Sequence, residues 1–353
     1  MEFLSEYGLF LIKTVTIVVA IIVIIGAMVN SGMKNKQHQK AGHVLITNLS
    51  DELQELEDDI RKETLSKEDY KHYQKQKKEE EKAEAKLKKK AAKNESSNSE
   101  KQPRLFVIDF EGDIQASGVE NLREEITAIL STAEENDEVL VRLESAGGMV
   151  HSYGLAASQL SRVRNHGLKL HVAVDKVAAS GGYMMACVAD NVIAAPFAII
   201  GSIGVIGQLP NFHRLLKHNK VDFEQHTAGE FKRTLTVFGE NSDKAREKFK
   251  EELEQTHQLF KRFIHENRAS LDVDKVATGE HWYGLEAKEL GLVDDIKTSD
   301  DFVIERCKIG EAFKIKYEIK KPLSERLPIS VMNSFQATMT DWLHKIDFHK
   351  MFK

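Results

Sequence analysis

The residues best suited to chemistry stand in a run of small side chains, Ala178-Ala179-Ser180-Gly181-Gly182. A hydroxyl flanked by alanine and glycine is accessible, and the glycines permit backbone angles that other residues resist. Just before it, Leu168, Leu170, Val172 and Val174 alternate as in a strand with one buried face. A helix opening near Ser180 would set the hydroxyl at a strand-to-helix corner, where backbone N–H groups favour developing negative charge. Nucleophilic serines are presented in this way, although a plain Ser-Gly-Gly turn uses the same residues.

A nucleophilic hydroxyl needs a base. Among the histidines, His171, His213, His218 and His226 are candidates, and none sits in a recognisable motif. Lys232, in Ala228-Gly229-Glu230-Phe231-Lys232, lies beside a glycine turn and an aromatic ring. A lysine that works as a base near neutral pH must fall by about three units from about 10.4, roughly 4 kcal/mol of destabilised ammonium. Only a dry, well-built pocket supplies that. Spacing alone leaves Lys232 an ordinary surface lysine. Cys187 and Cys307 are the only cysteines and have no second ligand cluster near them, so neither a disulfide framework nor a metal site is expected.

Several elements must carry these residues. The chain has 353 residues, 41% of them apolar, enough for a substantial core. Its net charge of −5 carries no general nucleic-acid signal. Residues 1–30 read as a transmembrane anchor: Leu9–Val29 has Lys13 as its only charge and is long enough to cross a bilayer. Glu2 and Glu6 take the place of a basic leader, which argues against a cleaved signal peptide. Lys34, Lys36 and Lys40 on the far flank place the body in the cytoplasm by the positive-inside rule.

Residues 31–102 read as a charged helical extension and linker. Leu49, Leu53, Leu56 and Ile60 form a short heptad stripe, and Ser66 with Asp69 resembles a capping box. The run from Lys75 to Lys93 has too few apolar residues to bury a core face. From 103 to 300 strands and helices alternate. Strands are expected at Leu105–Phe110, Glu138–Leu143, Leu168–Val174 and Asn191–Ala195, with helices at Asn121–Ala133, Val150–Arg164 and from Ser180. This is the pattern of parallel βαβ units in an α/β fold. The apolar run Tyr183–Gly207 is broken by Asp190, Pro196 and glycines, so it reads as buried helix plus strand and not as a second span. A long amphipathic helix is expected over Lys244–Asn267. Residues 301–353 form a C-terminal tail whose apolar end suits a partner, a membrane face or its own domain.

Taken together, Glu144–Gly148, Val177–Gly182, Gly201–Gly207, Ala228–Lys232 and the block Gly279–Asp294 resemble the signal peptide peptidase (SppA/SohB) family of membrane serine peptidases. That family shares its fold with ClpP and the crotonases. The resemblance implies a ClpP/crotonase-like fold of repeated βαβ and ββα units, with Ser180 as nucleophile and Lys232 as general base. It also implies an oxyanion hole from Gly148 and Gly181, with Gly147 in the same turn, and Ser202 orienting the lysine. It implies no cofactor, peptide or protein substrates, and ring-like homo-oligomers whose subunits can share the dyad. It places the anchor in the bacterial inner membrane and the catalytic domain in the periplasm, against the lysine count. The family's Asn-Ser-Pro-Gly-Gly is here Glu144-Ser145-Ala146-Gly147-Gly148, which loses the proline and keeps the donors. Two other classes use the same features: an acyl-CoA enzyme of crotonase type, and a non-catalytic membrane scaffold working through the charged extension.

Overall fold

The structure, a computed structural model, describes residues 42–93 and 102–319. A compact unit spans Val44–Tyr317 and is built on one sheet. Among the described residues its ten strands are β1 (His43–Asn48), β2 (Leu105–Gly112), β3 (Glu138–Ser145), β4 (Lys169–Val174), β5 (Val177–Ala179), β6 (Asn191–Ala194), β7 (Ile199–Gly201), β8 (His281–Tyr283), β9 (Asp295–Ile296) and β10 (Ala312–Glu318). Their order is β1-β10-β2-β3-β4-β6-β9. From β10 to β9 every neighbouring pair is parallel. A short branch leaves this path: β5 pairs with β3 and β7, and β7 pairs antiparallel with β8.

The central strands are apolar on both faces because both faces are covered. In β2, Phe106 and Ile108 join one core while Leu105 and Val107 join another, as the two-residue period of a strand requires. The first core is closed by α3 (Val119–Leu130), α4 (Val150–Asn165) and α5 (Gly181–Ala186). The second is closed by Phe302 and Val303 of α10 (Ser299–Cys307), with Leu49 and Leu53 of α1 (Leu49–Thr64) packed against it. Half of the heptad stripe is thereby used. Leu56 and Ile60 remain exposed.

After α1 comes α2 (Lys67–Lys93), and Ser66 caps it as expected, accepting the Asp69 N–H at 3.2 Å and donating to its carboxylate at 2.7 Å. The expected strands and helices of the central region are present to within a few residues. The run Tyr183–Gly207 holds α5, β6 and β7. Residues 299–318, grouped by sequence largely with the tail, form α10 and β10, and β10 is an interior strand. Its sequence AFKIKYE alternates as a half-buried strand does. The remaining helices are α6 (His213–His218), α7 (Asp243–Asn267), α8 (Val273–Val276) and α9 (Gly284–Glu289). Among the described residues no helix is long and apolar enough to cross a membrane. The expected anchor at 9–29 lies outside them.

Candidate active site

The site forms where the short branch leaves the main sheet. Ser145, the last residue of β3, pairs with Ala178 of β5, and Ala179 pairs with Gly201 of β7. Ser180 follows with φ 51° and ψ −116°, and α5 begins at the next residue. A serine with positive φ is strained and persists only where its surroundings over-determine it. Here they do. The Ser180 N–H donates to the Gly201 carbonyl at 2.7 Å, and the Ser180 carbonyl accepts from Met184 N–H at 3.0 Å. The expected strand-to-helix corner is therefore real, and the hydroxyl stands on it.

The turn after β3 closes on this corner. Gly147 has φ +88°, and a Cβ there would lie 2.8 Å from the Ser180 Cβ and 2.7 Å from the Gly181 nitrogen. Only glycine lets the two backbones approach so closely. The Gly147 N–H is already engaged, donating to Ser145 Oγ at 3.1 Å. Among the described residues, no hydrogen bond is made by the N–H of Gly148 or of Gly181. A free pair of donors beside a nucleophile is what an oxyanion requires.

Ser202 follows Gly201, the residue that holds the Ser180 N–H, and has the same φ of 51° as Ser180. Its own N–H donates to the Glu280 carbonyl at 2.6 Å. The structure thus gathers Ser180, Gly147, Gly148, Gly181 and Ser202 in one place. Lys232 stands apart from them. It is exposed on the segment between α6 and α7, its N–H donating to the Gly229 carbonyl at 3.2 Å, and it makes no side-chain bond to Ser180. With Phe223, His226, Arg233 and Phe238 it lines a separate hollow of about 640 Å³.

The nearby histidines do not take its place. His171 is buried on β4, its Nε2 3.2 Å from the Glu138 carboxylate and its ring stacked near Phe302. His213 and His218 lie on α6, and His226 is exposed beside Glu224. Cys187 is fully buried in the first core, and burial pushes its thiol up to about 12, so it is an inert apolar filler.

Two features escaped the sequence. A cleft of about 1260 Å³ opens at Gly148, walled by Ile114, Met149, Met184, Ile206, Leu259 and Phe263. These residues come from five separate segments, so no local pattern announces them. The other is the hydroxyl of Tyr153, which reads in sequence as one more apolar residue on the buried stripe of α4. In the fold it is fully buried and bonded to Ser145.

Comparisons with known proteins converge on one description. Residues 2–160 match the model for the Peptidase family S49 N-terminal region, and residues 162–312 the model for Peptidase family S49. The chain is 53% identical to "Probable protease SohB" of Haemophilus influenzae over 92% of both chains. It is 50% identical to the protein of the same name from Buchnera aphidicola subsp. Schlechtendalia chinensis, covering 87% of this chain and all of that one. "Protease 4" of Haemophilus influenzae is 28% identical over 56% of this chain and 32% of its own length. Among solved structures, the 1510-N membrane-bound stomatin-specific protease is similar at 12% identity and a TM-score of 0.39, over 58% of this chain and 84% of that one, too distant a likeness to carry weight.

Proposed function

This chain belongs to peptidase family S49, and from that premise we propose that it is a membrane-anchored serine endopeptidase whose nucleophile is Ser180 and whose base is Lys232. The observation that carries this reading is the strained Ser180 corner beside the two unengaged N–H groups of Gly148 and Gly181. The amine of Lys232 accepts the hydroxyl proton as Oγ attacks the peptide carbonyl. Gly148 and Gly181 donate to the resulting oxyanion, each such donor being worth about 2.7–4 kcal/mol. The ammonium returns its proton to the departing amine. Water then attacks the acyl-serine with the same lysine as base.

Within the chain Lys232 makes no hydrogen bond to Ser180 and lines a separate hollow, which supports a base supplied by a neighbouring copy. The segment carrying Lys232 and the helix α6 before it support this: Leu215 of α6 is 57% exposed, Phe223 44% and Phe238 45%, an apolar surface suited to a second copy. The apolar cleft at Gly148 suits an apolar side chain of an unfolded or membrane-derived peptide. Residues 9–29 anchor the chain in the bacterial inner membrane. A reporter fused after residue 60 reads the side directly, cytoplasm by the flanking lysines or periplasm by the family pattern.

The experiment is hydrolysis of casein across pH 6–10 by the full chain, Ser180→Ala and Lys232→Met. Each variant is expected to lose about a thousandfold or more while remaining folded. Mixing the two inactive variants is expected to restore part of the activity, because mixed assemblies contain an intact serine facing an intact lysine. A fully active Lys232→Met would place the base elsewhere.

A further inference from the structure

Resting on that reading of the oxyanion hole, we infer that Tyr153 is a positioning residue that sets both of its walls, acting through Ser145 on one side and through its ring on the other. The Tyr153 hydroxyl donates to the Asp113 carbonyl at 2.7 Å. A carbonyl can only accept, so the single phenolic proton is committed there. Tyr153 must then accept from Ser145, whose Oγ lies 2.6 Å away. With its own proton spent, Ser145 Oγ is left to accept the Gly147 N–H at 3.1 Å. The result is a one-way chain from Gly147 N–H through Ser145 and Tyr153 to the Asp113 carbonyl. It fixes the orientation of the turn whose next N–H belongs to Gly148.

The opposite wall leans on the same side chain. A Cβ on Gly181 would lie 2.4 Å from the Tyr153 ring, so the ring is the floor on which the Gly181 peptide rests. The acceptor end is also braced. The Asp113 carboxylate accepts from Ser117 N–H at 2.8 Å and from Ser117 Oγ at 2.7 Å, and the Ile114 carbonyl accepts Met149 N–H at 2.8 Å. A phenylalanine would fill the core equally well. The hydroxyl matters because it determines which way Ser145 points.

The test uses the full-length chain and the variants Tyr153→Phe, Ser145→Ala and the double variant. Steady-state hydrolysis of a fluorogenic peptide and inhibition by a peptide aldehyde, which forms a tetrahedral adduct, are the readouts. Tyr153→Phe keeps the ring and is expected to lower kcat about 10- to 50-fold with KM within twofold, less than the loss of a donor outright. Aldehyde affinity should fall by the same factor. Ser145→Ala should match it, and the double variant should be no worse than either single one, because the three groups act as one chain. Ser145→Ala, which removes the neighbouring hydroxyl of the same chain of bonds, keeps the test open if Tyr153→Phe fails to fold. Tyr153→Phe with kcat within twofold of wild type, or losses that multiply in the double variant, overturns the inference. Ser180→Ala runs beside them: if it cleaves normally, the serine reading itself falls, whereas an inert Ser180→Ala with an unimpaired Tyr153→Phe removes the positioning role alone.

Discussion

The corner that carries Ser180 and the segment that carries Lys232 are built in opposite ways. Around the serine the backbone is tied down: to Gly201, to Met184, and through Gly147 and Ser145 to Tyr153 and Asp113. Between α6 and α7 the chain is mostly exposed, and large apolar side chains face outward. The proposed nucleophile is positioned by the backbone of its own chain, at a cost in strain that the sheet offsets. The proposed base is left to be placed by contact with another. On the proposed reading, such a division makes activity depend on a second copy.

Substitutions can break or sharpen that contrast. The largest effect is expected at the corner. Gly147→Val introduces a side chain at φ +88° against the Ser180 Cβ, and should lower peptide hydrolysis by more than about a hundredfold, measured as kcat/KM. On the other side of the contrast, replacing Leu215 and Phe223 with Asp should abolish most activity and shift the assembly to smaller species by sedimentation. Its melting temperature in the dissociated state should stay within a few degrees. A loss of activity with the assembly intact would show that the exposed segment does something other than recruit a copy.

A stability effect separates the two regions further. Arg268, nine-tenths buried, holds the Asp294 carboxylate with two bonds of 2.7 and 2.8 Å and the Gly291 carbonyl with another. Burial, the largest single influence, opposes its charge, but the Asp294 bonds together with the nearby Tyr183 and Cys187 hold the guanidinium above its usual value. Arg268→Ala should cost about 3 kcal/mol in urea unfolding, the low end for a buried pair because Asp294 remains partly wet.

The smallest effect is expected at Glu125. Burial raises its carboxyl above the ordinary range, although the Tyr317 N–H it accepts at 2.8 Å works against this. An acid with a raised native pKa binds its proton more tightly when folded, so its charge destabilises the fold above that pKa and the cost vanishes on acidification. Glu125→Gln keeps an acceptor and should raise the melting temperature by about a degree or two at pH 8, with no gain at pH 4.

Much of the corner is legible in the sequence, because an apolar strand running into small residues around one hydroxyl marks a strand-to-helix turn, although a plain turn uses the same residues. The strands β2 and β3 are legible for a different reason: being buried on both faces, they read as largely apolar runs, whereas β4 alternates in sequence as if one face were wet and is buried on both. The three-residue strands β5, β7 and β8 are not legible, since three residues carry no period and exist only by pairing with their neighbours. Lys232 stands out through family resemblance alone, as nothing in its neighbours marks it. Tyr153 is hidden by its own suitability for the core, because its hydroxyl's partner lies forty positions away at Asp113 and no spacing encodes it.

The position of β10 has a consequence for how the molecule is made. Residues 312–318 sit between β1 and β2, so the strand translated after the other described strands must enter the interior of the sheet. While the ribosome is still elongating, β2 offers an unpaired edge and β1 has no neighbour to join. The emergence of residues 312–318, and not that of the Ser180 corner, is therefore the event that joins the described strands into one sheet. Nascent chains stalled before residue 312 are expected to need chaperone cover.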